Sequence, residues 1–242
     1  MRQSRIYHPH PLTPNTSIVL TDSAANYLAN VLRLKPGAEL ILFNGQGGEY
    51  SAEVTSVNKR KVEVTLHQYI EKNIESPLAL HLGQGISRGE RMDIVIQKAT
   101  ELGVTEITPL ITERCNVKLT EERWQKRWLH WQGIAISACE QCGRTVLPVI
   151  HQPMPLSDWL AQADQPPGIV LDHRAQATLK DIKLESSALR LLIGPEGGLT
   201  EAEITIATQQ AFNTVKLGPR VLRTETAAIT ALSLLQYGWG DI

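Results

Sequence analysis

The sequence predicts an α/β protein, with a C-terminal domain built on a largely parallel sheet and a small β-barrel in front of it. Three observations carry that expectation. Roughly the first seventy residues are short alternating runs split by tight turns. From Leu78 onward, apolar runs of strand length alternate with stretches of helical periodicity. Between the two lies Glu71-Lys72-Asn73-Ile74-Glu75-Ser76-Pro77, polar and proline-terminated, which reads as the linker and puts the domains at 1–72 and 73–242.

The elements follow in order. Ser17 to Leu20 is a short strand. Asp22 opens a helix in which Ala24, Ala25, Tyr27, Leu28, Val31 and Leu32 recur at helical spacing, and Pro36-Gly37 ends it. Glu39 to Phe43, Tyr50 to Val57 and Val62 to Leu66 are strands, separated by Asn44-Gly45-Gln46-Gly47-Gly48 and by Lys59-Arg60-Lys61. In the second domain, Leu78 to Gln84 is a strand. Met92, Val95, Ile96, Ala99 and Leu102 form the apolar stripe of a helix that Gly103 terminates. Val104 to Ile111 is the next strand. Thr120 caps a long helix whose stripe is Trp124, Trp128, Trp131, Ala135 and Ala138, a packing seam rather than a base-stacking platform. Gly168 to Leu171, Arg190 to Ile193 and Val215 to Leu217 are short strands. Thr200 and Glu203 have capping-box spacing, and Thr224 to Gln236 is a last helix of small and apolar residues, suited to burial at an interface.

Composition narrows the function. The chain has 242 residues and a formal charge of −1, so an RNA-binding surface has to be a local patch. Residues 1–75 carry eight Lys/Arg against seven Asp/Glu, which is a weak basic signal. No apolar run reaches the roughly 18 residues of a membrane span, and the N-terminus has no apolar signal segment. Three cysteines, Cys115, Cys139 and Cys142, fit a reducing cytoplasm. Cys139 and Cys142 have zinc spacing, but no second pair of ligands stands near them, so no metal is expected.

Chemistry concentrates near the C-terminus. Ligands of open α/β sheets sit where strands end. Here Ile169-Val170-Leu171 runs into Asp172-His173, Leu191-Leu192-Ile193 into Gly194-Pro195-Glu196-Gly197-Gly198, and Val215-Lys216-Leu217 into Gly218-Pro219. Paired strand-to-helix turns can hold a nucleotide-like ligand through backbone groups. No lysine and serine follow the glycines as in a phosphate loop, and no dinucleotide fingerprint is present.

Ile193 to Thr200, together with Leu217-Gly218-Pro219-Arg220-Val221-Leu222-Arg223-Thr224-Glu225-Thr226-Ala227, resembles the signature of the SPOUT class of RNA methyltransferases. Within it the chain resembles the RsmE family, bacterial small-subunit ribosomal RNA uridine-N3 methyltransferases. Gly89-Glu90-Arg91-Met92, Gln97 to Gly103, Glu113-Arg114-Cys115 and Ala138 to Arg144 extend the likeness over the whole chain. The resemblance implies a PUA-like N-terminal barrel that helps hold RNA and a C-terminal domain closed by a deep trefoil knot. It implies a cytoplasmic homodimer whose active site uses both subunits. The substrate would be 16S ribosomal RNA or the small ribosomal subunit, with neither membrane nor metal involved. S-adenosylmethionine would lie against Leu171, Ile193, Gly194, Pro195, Glu196, Gly197, Gly198, Leu217, Gly218, Leu222, Arg223, Thr224, Thr226 and Ala227. A SPOUT methyltransferase acting on another RNA target or atom, and a non-catalytic RNA-binding ribosome-assembly factor, are the alternatives.

Methylating uridine N3 requires loss of the N3 proton and stabilisation of the anion spread over O2 and O4. Arg223, beside the cofactor turn, is the first choice for stabiliser; the competing reading pairs it with Glu225 or Glu196. Glu140, Glu225 and His173 are candidates for the proton. Arg2, Arg5, Arg33, Arg88, Arg114 and Arg144 are candidate RNA contacts, with Arg91, Lys35 and Lys59-Arg60-Lys61 as further basic positions.

Overall fold

The structure is a computed structural model that describes residues 3–58, 60–115 and 120–242; Arg2 and Lys59 lie outside the described residues. By internal contacts the chain forms two units. One is Met1–Glu75 with Cys139–Leu147, the other Ser76–Ala138 with Pro148–Ile242.

The first unit is a five-stranded sheet of β1 (Ser4–Tyr7), β2 (Ser17–Thr21), β3 (Glu39–Phe43), β4 (Glu49–Asn58) and β5 (Lys61–Ile70), in the order β1-β3-β4-β5-β2. β1 pairs parallel with β3, and the other pairs are antiparallel. Leu28, Leu40, Leu42, Val54, Val62, Val64 and Leu66 form its core. Sequence pattern did not reveal β1, because its alternation is broken by Arg5, a charge turned inward. The Arg5 guanidinium pairs with Glu49, donates to the Arg144 carbonyl at 3.1 Å and stacks over Phe43.

The expected helix after β2 is a short α1 (Asp22–Asn26) that widens into a π-helical turn, Tyr27–Val31, where the Leu32 N–H reaches the Tyr27 carbonyl. Asp22 does not cap it. It stands at φ 52° inside the first turn and takes the Thr21 hydroxyl on its carboxylate.

Residues 139–147 complete the first unit. Gln46 forms a β-bridge to Val146, and Lys72 O accepts from Thr145 Oγ1.

The second unit is built on a seven-stranded parallel sheet. Its main path runs β12 (Phe212–Val215), β10 (Gly168–Leu171), β11 (Ala188–Ile193), β6 (Ala79–Gly85), β7 (Glu106–Ile111), β8 (Val149–Ile150), and β9 (Met154–Pro155) pairs with β7. Both faces are covered, as continuous apolar strands require. α2 (Arg91–Glu101), α3 (Glu121–Cys142) and α6 (Thr224–Trp239) send Met92, Ile96, Trp131, Ala135, Ala228 and Leu232 into one core. α4 (Leu156–Leu160) and α5 (Glu201–Gln209) supply Leu156, Trp159 and Ala207 to the core on the opposite face. Trp131 is fully buried, with Trp124 and Trp128 packed beside it, so the tryptophan stripe is core.

Two expectations shift. The last strand ends at Val215 and begins at Phe212, because Phe212 lies on the apolar face beside Trp159 and Arg190. α6 runs one turn beyond Gln236. β8, β9 and α4 are too short for a periodic signal. No described helix is long and apolar enough to cross a membrane.

Candidate active site

β10, β11 and β12 lie side by side and parallel, so their outgoing loops leave the same edge of the sheet. These loops and the start of α6 enclose a cavity of about 550 Å³, well within the size of a small-molecule site. It is lined by Leu171, Ile193 to Gly198, Leu217, Gly218, Leu222, Arg223, Thr224 and Ala227. Thirteen of the fourteen expected cofactor contacts are thus brought together; Thr226 is exposed in the first turn of α6 and is not among the lining residues.

Two glycines are required by the backbone itself. A Cβ on Gly194 would come within 2.9 Å of the Gly198 carbonyl carbon and the Leu199 nitrogen, so no side chain fits inside the first loop. Gly218 has φ 130°, a conformation other residues adopt only under strain. The loops are tied together from beneath. The Thr224 hydroxyl donates to the Gly194 carbonyl at 2.7 Å and accepts from Gln84 Nε2 at 2.9 Å, which joins the end of β6, the first loop and the start of α6. Thr200 and Glu203 close the expected capping box on α5, with bonds of 3.2 and 2.8 Å.

Charges are arranged unevenly around this cavity. Glu196 accepts from the Arg88 backbone N–H at 2.9 Å and from Arg91 at 2.6 Å. Burial pushes its carboxyl pKa up, but these donors and the Arg91 charge outweigh burial and leave it below the usual range. Arg91 also approaches Glu225 Oε1 at 3.9 Å, while Glu225 Oε2 is buried with no hydrogen-bond partner among the described residues. Arg223 flanks α6 in an extended conformation, exposed, and forms no ion pair among the described residues. Its two expected carboxylate partners are engaged or approached by Arg91 instead. Asp172 is held against the Arg174 backbone and side chain at 3.1 and 3.0 Å, with His173 exposed beside it.

Other expected site residues lie elsewhere. Glu140 belongs to the first unit and does not line the cavity. It accepts the Tyr7 N–H at 3.0 Å, which ties it to β1, and burial raises its carboxyl pKa. Arg5 and Arg144 are corrected likewise. Both are buried and paired, with Glu49 and Glu75 respectively, and hold the first unit together rather than offering charge to a phosphate. Arg33, Arg88 and Arg114 are exposed, and Arg114 donates to the Gly197 carbonyl at 3.0 Å. Sequence reasoning missed Arg174, Leu199, Ile204, Lys216 and Val221, which also line the cavity. The Asp172-His173-Arg174 run after an apolar strand was the signal that could have found the first.

The donor set suits a nucleoside bearing an amino-acid tail. Among the described residues the backbone N–H groups of Leu217, Gly218 and Leu222 have no hydrogen-bond partner, Glu225 Oε2 is an orphaned buried acceptor, and the lining mixes apolar side chains such as Leu171, Ile193 and Leu199 with charged ones such as Arg91, Glu196 and Arg223. The RNA methyltransferase domain family matches residues 74–236, and the RNA methyltransferase PUA domain family matches residues 20–66. The chain is 40% identical over 242 residues to the ribosomal RNA small subunit methyltransferase E of Buchnera aphidicola, covering all of this chain and 98% of that one. Among solved structures, a Legionella pneumophila methyltransferase in complex with S-adenosylmethionine superposes with a TM-score of 0.97 at 44% identity, covering all of both chains. The Neisseria gonorrhoeae ribosomal RNA small subunit methyltransferase E bound to S-adenosylmethionine gives 0.92 at 38% identity, again over both whole chains. With its cavity built from the same turns that carry the resemblance, the chain belongs to the ribosomal RNA small subunit methyltransferase E family.

Proposed function

We propose that the protein methylates N3 of a specific uridine in 16S ribosomal RNA, with S-adenosylmethionine as donor. The observation that carries this reading is the cavity, whose lining includes nearly every residue of the two glycine turns and whose rim bears the unpaired Arg223. When bound, S-adenosylmethionine supplies an electrophilic methyl group on a sulfonium. Gly194 to Gly198 and Leu217 to Leu222 bind and orient it through backbone groups. Arg223 stabilises the negative charge that N3 deprotonation spreads over O2 and O4. Glu225, with one buried oxygen unsatisfied, is the proton acceptor that best fits the geometry. The N3 edge lies inside the pairing face, so the uridine enters unpaired or flipped.

Of the candidate RNA contacts, Arg33, Lys35, Arg60, Lys61, Arg88 and Arg114 are exposed, and in this reading the first unit holds the RNA while the second transfers the methyl group. A threaded C-terminal segment is supported by the strand order, in which β11 runs between β10 and β6 and the chain then returns to the far side of β10. A cytoplasmic homodimer completes the reading. Calorimetric titration with S-adenosylmethionine tests the pocket; a folded protein that does not bind it ends this assignment. Mass-spectrometric mapping of 16S ribosomal RNA from a deletion strain tests the target, and the expected result is loss of one N3-methyluridine, restored by the gene.

A further inference from the structure

A second constellation lies in the same unit, on the core face of the sheet that carries α4. His81 of β6 stands opposite Glu106 of β7 in the parallel register, and Val149 of β8 stands opposite Glu106 on its other side. His151 follows β8 two residues beyond Val149, tied by its N–H to the Ile107 carbonyl at 2.9 Å. Side chains alternate along strands, so His81, Glu106, Thr108 and His151 share one face. Their ligand atoms converge. One from each of His81, Glu106 and His151 lie within 4.8 Å of one another. His151 Nε2 is 2.7 Å, and His81 Nδ1 3.9 Å, from the same Glu106 oxygen. Three ligands at zinc bond lengths of about 2.0–2.2 Å around a tetrahedral centre stand roughly 3.3 Å apart, a value that lies between these two separations.

We propose that His81, Glu106 and His151 form a structural site for a divalent transition metal of the zinc class. Two imidazoles and one carboxylate select zinc over magnesium or calcium, which take all-oxygen sets. One outer-shell partner is already in place. His81 Nε2 lies 2.8 Å from Thr108 Oγ1, so with Nδ1 on the metal it donates its proton there, the arrangement that orients ligating imidazoles. Trp159 Nε1 approaches the same nitrogen at 3.3 Å and gives up that acceptor when the tautomer is fixed, so its indole reports binding. The Arg190 guanidinium, stacked on Trp159, opposes a cation here, and the Glu106 carboxylate offsets it. His81 is buried while Glu106 and His151 are partly exposed, which leaves a route for the ion and room for water as a fourth ligand. The site lies near the N-terminal ends of β6 and β7. The cavity lies at the opposite ends of β10 to β12, so this metal would brace the two-residue strand β8 against β7 and β6 and leave methyl transfer alone.

The test uses the full chain, stripped by chelator and titrated with Zn²⁺ against a chromophoric indicator, with melting temperature and tryptophan emission followed in parallel. One zinc per chain is expected, with a melting rise of about 5 °C at a hundredfold excess over Kd and a change in emission. Glu106→Gln and His151→Ala, both at partly exposed positions, should each weaken binding by more than the roughly 10–100-fold typical of an outer-shell loss, while S-adenosylmethionine binding is unchanged. Cys142→Ser should bind zinc as the parent does. No stoichiometric zinc, or zinc retained equally by Glu106→Gln and His151→Ala, overturns the proposal.

Discussion

Arg223 is the residue on which the proposed chemistry rests most heavily. Arg223→Ala should leave S-adenosylmethionine affinity within a few-fold and lower turnover by about 10²–10³, the effect of losing one preorganised charge stabiliser. Single-turnover methylation of 16S RNA beside a calorimetric titration separates the two effects; lost affinity with normal turnover would make Arg223 a loop-holding residue. Gly194→Ala should do the reverse. Its new Cβ meets backbone at 2.9 Å, so the loop must open, and cofactor affinity should fall at least about tenfold. At this scale legibility followed chain distance. The glycine turns and Arg223 are local patterns. The Arg91 to Glu196 pair spans 105 residues and the Arg5 to Glu49 pair 44, so no spacing rule could show that Arg5 is buried or that Arg91 takes the partner expected of Arg223.

Among the elements, α5 shows how much a local signal can settle. The spacing of Thr200 and Glu203 predicts the capping box, and both of its bonds are made. Thr200→Ala should cost about 1 kcal/mol, read as a lower urea midpoint at unchanged slope. β1 is the contrasting case, since its pattern is masked by the inward Arg5. Removing one member of a buried pair leaves the other charge unsolvated, so Arg5→Ala should destabilise by about 3–5 kcal/mol, while Arg33→Ala, exposed, should be nearly silent. Circular dichroism melts of the two variants make the comparison. The π-helical turn after α1, and the two-residue strands β8 and β9, arise from tertiary packing and leave too few residues for a period to be counted.

For the molecule as a whole, the alternation of longer strands and helices in the second unit was legible, because parallel strands buried on both faces demand long apolar runs and helices between them. The position of Glu140, and the convergence of His81, Glu106 and His151, depend on strand neighbours far apart in sequence and were not. Among the large apolar side chains of α6, Leu234 and Tyr237 are exposed, with Tyr237 at 77%. The proposed homodimer should therefore sediment at about twice the 26.8 kDa chain mass, and a Leu234→Glu, Tyr237→Glu double variant should sediment as monomer with methyl transfer abolished. The path of α3 carries a different consequence. Its last turn and the residues after it, 139–147, belong with the first unit, although 76–138 belong with the second. The polypeptide therefore passes from one unit to the other three times. A gene fusion that trades the first unit for another cannot cut once at Glu75. It must also rewrite the far end of a helix sixty-odd residues downstream, where Glu140, Arg144 and Thr145 bond the module being replaced. Exchanging the first unit therefore takes three junctions rather than one.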